Sequence, residues 1–432
     1  MRKYPKYNYS EIKWLGETPI DWSLEKVKFH LSFSKGTNPK NLVDENIGEL
    51  PEYISVENLR GKQNNIQYVK DWKTCKLIND NDILLLWDGA NAGEFMKGKK
   101  GVLSSTMAKL LFNKKIAQEF GWYLFSRFEK EIREVTIGMG IPHVNGQDLK
   151  NSFVPIPSLP EQHVIVRFLD YKTGQIDRFI ANRQKQIELL KEQKAGIINK
   201  AVTKGINPNA RMKDSGIDTL GTIPENWDVM ELKFAAKMMR GKFSHRPRND
   251  ERLYGGKFPF IQTGDVTKTE KYITAYKQTL NEWGYSVSKM FPKGTVVITI
   301  AANIGDIAIL DFDACFPDSI VGFYPKKNKI EYLFYLLKTM KEIFLSESIE
   351  GTQLNLSVDR LSSIKVALPE PAEQQNIVDF INEETSNTDT LISKYQKQID
   401  LMQEYRKSLI SQAVTGKIDV REWEPKIKEK VL

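Results

Sequence analysis

Two long segments of the chain place their inward-facing positions at alternating steps of four and three residues. In residues 161–203 these positions are Ile176, Ile180, Arg183, Ile187, Leu190, Lys194, Ile197 and Ala201. In residues 373–415 they are Thr388, Ile392, Tyr395, Ile399, Met402, Arg406, Leu409 and Ala413. This spacing is typical of a coiled-coil seam, whereas a helix lying on its own domain usually shows a broader apolar face with a period near ~3.6 residues. We therefore predict two long helices that pair with each other.

The ends of both segments carry the signals of helix ends. Each segment has prolines before its start, a glutamate at the start and a glycine after its last periodic position, namely Pro155, Pro157, Pro160, Glu161 and Gly205, and Pro369, Pro371, Glu373 and Gly416. A carboxylate stabilises the positive end of the helix dipole, and proline and glycine mark helix starts and helix ends.

Chain order sets the direction of the two helices. The first helix leads from one globular unit into the next, so a second helix that pairs with it must run back, antiparallel to the first. At ~1.5 Å of rise per residue, the first segment spans ~60 Å. We expect the two globular units at opposite ends of this rod, with residues 414–418 returned near Leu15 and Gly16.

The two halves of the chain repeat one plan. Residues 10–22 return at 215–227 and residues 27–29 return at 232–234, with a constant shift of 205 positions. A second match has a shift of 212, and residues 154–203 are identical to residues 366–415 at 20 of 50 positions. Most side chains between these matches differ. The two halves therefore share the matching segments and differ in the segments between them.

Each half also contains a globular unit of mixed secondary structure. Short β-branched and aromatic runs predict strands at 53–56, 83–87, 102–103, 110–112, 260–262, 295–300, 307–310 and 320–324. Apolar residues at helical spacing predict one helix over 120–135 and another over 331–345. The predicted fold class is α+β, with two pseudo-twofold-related mixed α/β domains separated by an antiparallel coiled coil. The domain edges fall at 1–157, 158–206, 207–369 and 370–432.

Composition narrows the class of protein. The length of 432 residues excludes a single small module. The chain carries 63 Lys plus Arg against 55 Asp plus Glu, a net charge of +8, and 41% hydrophobic residues, a composition that favours a folded globular protein over a disordered chain. The longest mostly apolar stretch, 296–304, falls short of the ~20 residues of a membrane span, and residues 1–6 lack a signal-peptide core, so we expect a cytoplasmic protein. Two cysteines and four histidines show no zinc spacing, and we expect neither disulfides nor a structural metal.

No catalytic motif is complete in the sequence. The stretch 93–100 approaches a phosphate-binding loop, but Lys100 stands where Ser or Thr must bind Mg²⁺, which favours a basic turn. The motif of a DNA amino-methyltransferase fails after Asn38-Pro39 and after Asn207-Pro208, and Asp318 lacks the partners of a nuclease site, which favours a turn or loop residue. No Gly-x-Ser-x-Gly elbow is present. We expect no catalytic residues in this chain.

The remaining signal is one of binding. Basic residues cluster at Lys97, Lys99 and Lys100 in the first half and at Arg240, Lys242, Arg246 and Arg248 in the second. Two glycine-flanked loops, 138–145 and 351–355, carry Asn145, Gln353 and Asn355, whose amides can read base edges. We take these ten residues as candidates for DNA contact. The alternatives are a solvated face for the basic clusters and helix capping or turn chemistry for the loops.

At these positions the chain resembles the DNA-specificity subunit of type I restriction-modification systems over nearly its whole length. The resemblance is carried by duplicated motifs: Leu15-Gly16-x-x-Pro19-x-x-Trp22 with Leu220-Gly221-x-x-Pro224-x-x-Trp227, Pro157-x-x-Pro160-Glu161-Gln162 with Pro369-x-Pro371-x-Glu373-Gln374, and Ala201-Val202-Thr203 with Ala413-Val414-Thr415.

The resemblance implies a function without catalysis in this chain. It implies two target-recognition domains that each read one half of a bipartite double-stranded DNA site, and helices that fix the gap and dock the methyltransferase subunits. It also implies two modification subunits that bring S-adenosylmethionine and restriction subunits that bring ATP and Mg²⁺, with no cofactor in this chain.

Two other function classes remain open from the residues. A pseudo-symmetric coiled-coil adaptor that binds proteins instead of DNA would show the same repeat, and a steep salt dependence of binding to random duplex would exclude it. A self-sufficient methyltransferase would need a site for the methyl donor, for which the sequence shows no glycine-rich turn.

The predicted rod leads to a test of its length. Inserting four residues near Gln184 adds ~6 Å of helix, about two base-pair steps, and we expect a longer gap with both half-sites unchanged. Mapping methylated sites in cells that carry the insertion measures the gap. An unchanged gap would contradict the role of the helices as a ruler.

Overall fold

The structure is a computed structural model that describes residues 2–46, 48–62, 65–134, 136, 142–301, 303–348 and 355–425. The chain divides into two compact units. Unit 1 combines Met1–Arg183 with Lys397–Leu432, and unit 2 is Gln184–Gln396. The division falls inside both long helices, and the sequence-based domain edges at 157, 206 and 369 stay a prediction.

Unit 1 is built on an antiparallel sheet with a smaller sheet beside it. Its strands are β1 (Tyr7–Tyr9), β2 (Glu17–Pro19), β3 (Ser23–Lys26), β4 (Leu31–Lys35), β5 (Leu42–Val43), β6 (Tyr53–Ile54), β7 (Tyr68–Val69), β8 (Leu77–Ile78), β9 (Ile83–Leu86), β10 (Phe95–Lys97), β11 (Gly101–Leu103), β12 (Met107–Phe112) and β13 (Phe153–Ile156). Its helices are α1 (Val56–Leu59), α2 (Gln118–Glu134), α3 (Gly146–Asn151), the first part of α4 (Leu159–Lys204) and, from Lys397 on, the last part of the second long helix, with 3-10 turns at Val27–Phe29 and Trp72–Thr74.

Unit 2 repeats this plan with additions. Its strands are β14 (Met212–Asp214), β15 (Thr222–Pro224), β16 (Asp228–Glu231), β17 (Lys237–Arg240), β18 (Tyr254–Phe260), β19 (Tyr272–Ile273), β20 (Gln278–Leu280), β21 (Met290–Phe291), β22 (Val296–Thr299), β23 (Ile307–Leu310), β24 (Ala314–Cys315), β25 (Ile320–Tyr324) and β26 (Lys365–Leu368). Its helices are the last part of α4 from Gln184 on, α5 (Leu232–Ala235), α6 (Thr263–Thr267), α7 (Glu282–Ser286), α8 (Ile330–Thr339), α9 (Lys341–Ser346), α10 (Val358–Ser363) and the first part of α11 (Pro371–Val414), with a 3-10 turn at Glu251–Leu253.

The strand order shows the repeat directly. The central sheet runs β10-β9-β12-β4 in unit 1 and β23-β22-β25-β17 in unit 2, where β19 adds a parallel edge strand to β23. The smaller sheet runs β6-β11-β8 in unit 1 and β20-β18-β24-β21 in unit 2. The pairs β6-β11 and β18-β24 are parallel, and the pairs β11-β8 and β24-β21 are antiparallel. The expected α+β class is confirmed.

The two long helices follow the predicted seam. Between residues 181 and 197, all of which the structure describes, the positions that are not fully exposed are Arg183, Ile187, Leu190, Lys194 and Ile197. Unit 1 pairs Arg406 with Asp177 at 3.4 Å, and unit 2 pairs Lys194 with Asp389 at 2.6 Å. Moving forward along α4 from Asp177 to Lys194 moves the partner back along α11 by the same number of residues, which is the antiparallel direction.

The Glu-Gln motif anchors each long helix to its unit. The indole N–H of Trp22 donates to Glu161 at 3.1 Å, and that of Trp227 donates to Glu373 at 3.0 Å. Both neighbouring glutamines are fully buried. Gln162 accepts from the Ala117 N–H and donates to two backbone carbonyls. These contacts fix the turn before α2 against the start of α4.

In unit 2, Gln374 makes the corresponding set of hydrogen bonds. It accepts from the Lys329 N–H at 2.8 Å and donates to Asn328 Oδ1 at 2.6 Å and to the Pro369 carbonyl at 2.9 Å. The turn before α8 is thereby fixed at the start of α11.

The C-terminal segment returns to the N-terminal one within unit 1, as the sequence predicts. Lys417 Nζ donates to the Glu17 carbonyl at 2.6 Å. Gly416 packs so closely on Pro19 that an added Cβ would lie 2.3 Å from it. No helix in the described part of the chain is long and apolar enough to cross a membrane.

Several element predictions are corrected by the structure. The single helix expected over 331–345 is interrupted at Met340, where α8 ends and α9 begins. The strand expected at 260–262 instead ends at Phe260, because Gln262 caps α6. Strands β13 and β26 were missed. Pro155 inside β13 and Pro369 directly after β26 mark the approach to the helices, yet the two strands pair with β3 and β16.

Replacing Gln374 by leucine should destabilise unit 2 strongly. The substitution removes the hydrogen-bond partner of the Lys329 N–H, of Asn328 Oδ1 and of the buried Pro369 carbonyl, and we expect a loss of at least about 3 kcal/mol in the free energy of unfolding. Urea unfolding followed by circular dichroism measures this loss. The neighbouring half-buried Gln375 is the matched control, and Gln375→Leu should cost no more than about 0.5 kcal/mol. Equal unfolding curves for the two variants would contradict the anchoring role of Gln374.

Candidate nucleic-acid interface

One end of the central sheet of unit 2 gathers most of the candidate residues of that half. Strand β17 ends at Arg240. In the same sheet, β25 starts and β22 ends at this side. Asn355 pairs with Ala301 just beyond the end of β22. We call this end of the sheet, with the loop 241–250, Asp318, Ala301 and Asn355, the loop edge of unit 2.

A glycine starts the loop in both units. The N–H of Gly241 donates to the Ile320 carbonyl at 2.8 Å, and that of Gly36 donates to the Met107 carbonyl at 2.9 Å. A Cβ at Gly241 would lie 2.1 Å from the Pro317 carbonyl oxygen, and a Cβ at Gly36 would lie 2.1 Å from the Ser104 carbonyl oxygen. The close approach of the backbones requires glycine at both positions.

Asp318 organises the arginines of the loop edge of unit 2. Its carboxylate pairs with Arg248 and, at 3.6 Å, with Arg246. Its carbonyl accepts from Arg240 Nε at 2.7 Å. Asp318 lies in a turn, as the sequence predicts. Asp318 therefore orients three guanidinium groups, two through its carboxylate and one through its carbonyl, and leaves the edge positively charged.

The loop of unit 2 is anchored on aromatic side chains. Phe243 is buried, with its ring centroid 5.0 Å from that of Phe260. Arg252 lies over the half-exposed ring of Trp283 at 5.2 Å and donates two hydrogen bonds to Asp250. The Arg252 guanidinium, with the Arg252 N–H and His245, holds the pKa of Asp250 well below its usual range.

Lys242 is the freest cation of this loop. Its side chain is exposed, and within the described residues it has no carboxylate partner. An unpaired ammonium at this position is available to a phosphate group.

Unit 1 has an equivalent loop edge with different residues. Lys35 ends β4, as Arg240 ends β17, and its Nζ lies 3.0 Å from Asp88 Oδ2 and 5.7 Å from the Trp87 ring. Asp88 pairs with His143 in the same way as Ala301 pairs with Asn355. The residues that follow correspond as well. Val144 and Leu356 each donate a backbone hydrogen bond at 2.9 Å to the residue directly after β9 and β22, respectively.

Asn145 serves as a helix cap. Its Oδ1 accepts from the N–H groups of Gln147 and Asp148, and its Nδ2 donates to the Asp148 carboxylate at 2.6 Å. Ser357 caps α10 at the equivalent position of unit 2. The capping alternative is therefore realised, and DNA contact by Asn145 stays a prediction. Gln353 lies outside the described residues.

The lysines predicted in unit 1 lie at the other end of the sheet. Lys97 ends β10 opposite the start of β9 and lies over the Trp122 ring at 5.3 Å, while Asp88 follows the end of β9. Lys99 pairs with Glu52 at 2.6 Å, and the Lys100 N–H donates to Asp80 at 2.8 Å. The structure does not bring these lysines together with Asn145.

The corresponding turn of unit 2 has the opposite charge. It follows β23 and carries Asp311 and Asp313. The lysine turn of unit 1 is therefore not a shared feature of the two units. The residue that the sequence analysis missed is Lys35, although the 205-residue shift that relates residues 27–29 to residues 232–234 already aligns it with Arg240.

Among the described residues, no group of three or more His, Cys, Asp and Glu side chains is placed to hold a metal ion.

Comparisons with known proteins agree on one family. A family model described as "Type I restriction modification DNA specificity domain" matches residues 25–189 and 224–401. The chain is 32% identical to the type I restriction enzyme MjaVIII specificity subunit of Methanocaldococcus jannaschii, over 98% of both chains. It is 21% identical to the type I restriction enzyme EcoDI specificity subunit of Escherichia coli, over 93% of this chain and 90% of that one.

A solved structure shares the fold. A chain from a study of complex assembly and conformational transition of the type I R-M system superposes with a TM-score of 0.69 at 15% identity, covering 93% of this chain and 99% of that one.

Replacing Asp318 by asparagine should loosen the loop edge of unit 2 without unfolding the unit. Arg246 and Arg248 lose their carboxylate, so backbone amides in 242–250 should exchange hydrogen faster. The free energy of unfolding should change by less than about 1 kcal/mol because the pairs are partly exposed. Hydrogen exchange with mass spectrometry measures the effect, and Asp311→Asn, which breaks a pair with Lys293, is the control. Unchanged exchange in 242–250 would show that Asp318 does not hold the loop.

Proposed function

Because this chain belongs to the type I restriction-modification DNA-specificity family, we propose that each of its two units reads one half of a bipartite DNA site through its loop edge. The chain is the DNA-recognition component of such a system and is itself non-catalytic. Catalysis belongs to other subunits.

The observation that carries the proposal is a shared scaffold with two unlike loop edges. Both units have the same strand order, a glycine at the start of the loop, and a β-bridge just after β9 or β22. The side chains differ, because Lys35, Asp88 and His143 in unit 1 correspond to Arg240, Ala301 and Asn355 in unit 2. A protein that reads two different half-sites needs the same support and different contact residues.

The chemistry of the loop edges suits a duplex. Exposed Lys242 and Lys35 can neutralise phosphates, which sets position and register but not sequence. The guanidinium groups of Arg246 and Arg248, oriented by Asp318, can each donate a pair of hydrogen bonds to guanine O6 and N7, and the Asn355 amide can pair with adenine. Positioning and base reading thus come from neighbouring residues of one edge.

The proposal assigns the remaining tasks to the helices and to the partner subunits. The seam of α4 and α11 fixes the gap between the half-sites and docks two modification subunits. S-adenosylmethionine is bound by those subunits, ATP and Mg²⁺ are bound by the restriction subunits, and the DNA substrate places the complex in the cytoplasm.

Neutralising the loop edge of unit 2 should weaken DNA binding in a salt-dependent way. We expect the double variant Arg240→Gln/Lys242→Gln, assembled with its modification subunits, to bind its target duplex at least about tenfold more weakly. The slope of log K against log salt should fall by about 0.9 for each phosphate contact that is lost. Fluorescence anisotropy at several salt concentrations measures both quantities.

The matched control neutralises two lysines at the far end of the sheet of unit 1. Lys99→Gln/Lys100→Gln removes the same charge and should leave affinity and salt slope within a factor of about two of the unchanged protein. An equal loss in both double variants would show that general charge, and not the loop edge, governs binding. A protein-binding adaptor would show no salt slope at all.

A further inference from the structure

An exposed phenylalanine recurs at the same place in both units. Phe29 is 61% exposed and Phe234 is 69% exposed. The preceding lysine lies over each ring, with Lys28 Nζ at 5.2 Å from the centroid and Lys233 Nζ at 5.0 Å. A single exposed apolar side chain needs no explanation. The same side chain, similarly exposed at equivalent positions of two globular units whose loop edges differ, does need one.

Two further lysines accompany the phenylalanine in each unit. Lys114 and Lys115 precede α2, and Lys326 and Lys327 precede α8. An asparagine ties each lysine turn to the phenylalanine turn, because Asn113 Nδ2 donates to the Phe29 carbonyl at 2.8 Å and Asn328 Nδ2 donates to the Ala235 carbonyl at 2.6 Å. We call these residues the phenylalanine-lysine patch: Lys28, Phe29, Lys114 and Lys115 in unit 1, and Lys233, Phe234, Lys326 and Lys327 in unit 2.

The charge of the patch also recurs. Glu25 pairs with Lys115 at 3.5 Å in unit 1, and Glu231 pairs with Lys233 in unit 2. One glutamate thus lies beside the three lysines of each patch. In unit 2 the groove beside Phe234 is also lined by Asp228, Lys237 and Glu370, so that lysines outnumber carboxylates around the exposed ring in both units. In unit 2 the ring borders a groove of about 840 Å³ that extends to Pro371 at the start of α11.

The patch lies away from the loop edge. Phe29 precedes β4 and Lys35 ends it, so the two residues lie at opposite ends of a five-residue strand. Phe234 and Arg240 have the same relation across β17. A duplex held at the loop edges meets unlike residues in the two units, whereas a partner at the opposite ends of the sheets meets nearly identical ones.

We propose that the phenylalanine-lysine patch of each unit docks one copy of the modification subunit, through an acidic surface of that subunit surrounding an apolar socket for the ring. This rests on the proposed function, which needs two copies of the same subunit. Two identical partners require the same surface twice. Recurrence in sequence, exposure and charge is what distinguishes this surface from the loop edges, and it adds a contact on the globular units to the docking expected of the long helices.

Counting bound partners tests the proposal. The full chain is mixed with its modification subunit, and native mass spectrometry gives the number of copies bound while titration calorimetry gives their affinities. Phe29→Ser and Phe234→Ser should each weaken one of the two binding events at least about tenfold, and the double variant should weaken both. Lys326→Glu/Lys327→Glu should weaken one event, with a loss that shrinks as salt rises.

Controls separate docking from folding and from DNA binding. Ile66→Ser and Tyr276→Ser remove exposed side chains of comparable size that do not recur, and they should leave both binding events unchanged. Random-duplex affinity of the full chain alone should be the same for the double phenylalanine variant and the unchanged protein. A loss of DNA affinity would make the patch a DNA surface and overturn the proposal, as would unchanged binding of two partners by the double variant. If the unchanged chain itself fails to bind two copies, the proposed function fails first.

Discussion

The packing inside each unit depends on the hydrogen bonds of one buried glutamine at the start of its long helix. Gln162 and Gln374 are fully buried, and their amide groups form hydrogen bonds with the turn that precedes α2 in unit 1 and α8 in unit 2. Breaking one of these sets would remove three hydrogen bonds around a fully buried position. The adjacent glutamate holds a tryptophan from the N-terminal hairpin of its unit. Helix, sheet and hairpin therefore meet at one dipeptide, and this dipeptide recurs unchanged.

Comparing the two units shows which structural features they share and which differ between them. The helix anchors, the strand order and the glycine that starts the loop are common to both units, and each has a packing reason that tolerates little change. The loop edges keep only their backbone bridges, and their side chains differ at nearly every position that faces outward. This division follows from the proposed task, because two unlike half-sites need one support and two sets of contacts. The exposed phenylalanine belongs to the features that both units share, and it therefore indicates a partner that binds both units.

The sequence predicted the elements whose signal is periodic or repeated. The seam positions of α4 between residues 181 and 197 are confirmed because a contact between two long helices imposes a regular spacing of covered positions, even where it includes Lys194. The candidate residues of the site were harder to place. Without strand order, nothing in the sequence shows that Lys97 and Asp88 lie at opposite ends of the strand pair β9 and β10. The amide of Asn145 has the same local signature whether it caps a helix or reads a base, and only the structure shows the cap.

The central claim is that two unlike readers on one chain specify a split DNA site. It is tested most directly by sequencing methylated adenines genome-wide in cells that carry this gene with its modification subunit and in cells that lack this gene alone. The account predicts a new motif of two short, different half-sites separated by a fixed stretch of unspecified bases. An uninterrupted motif, or a methylation pattern that does not depend on this gene, would contradict it.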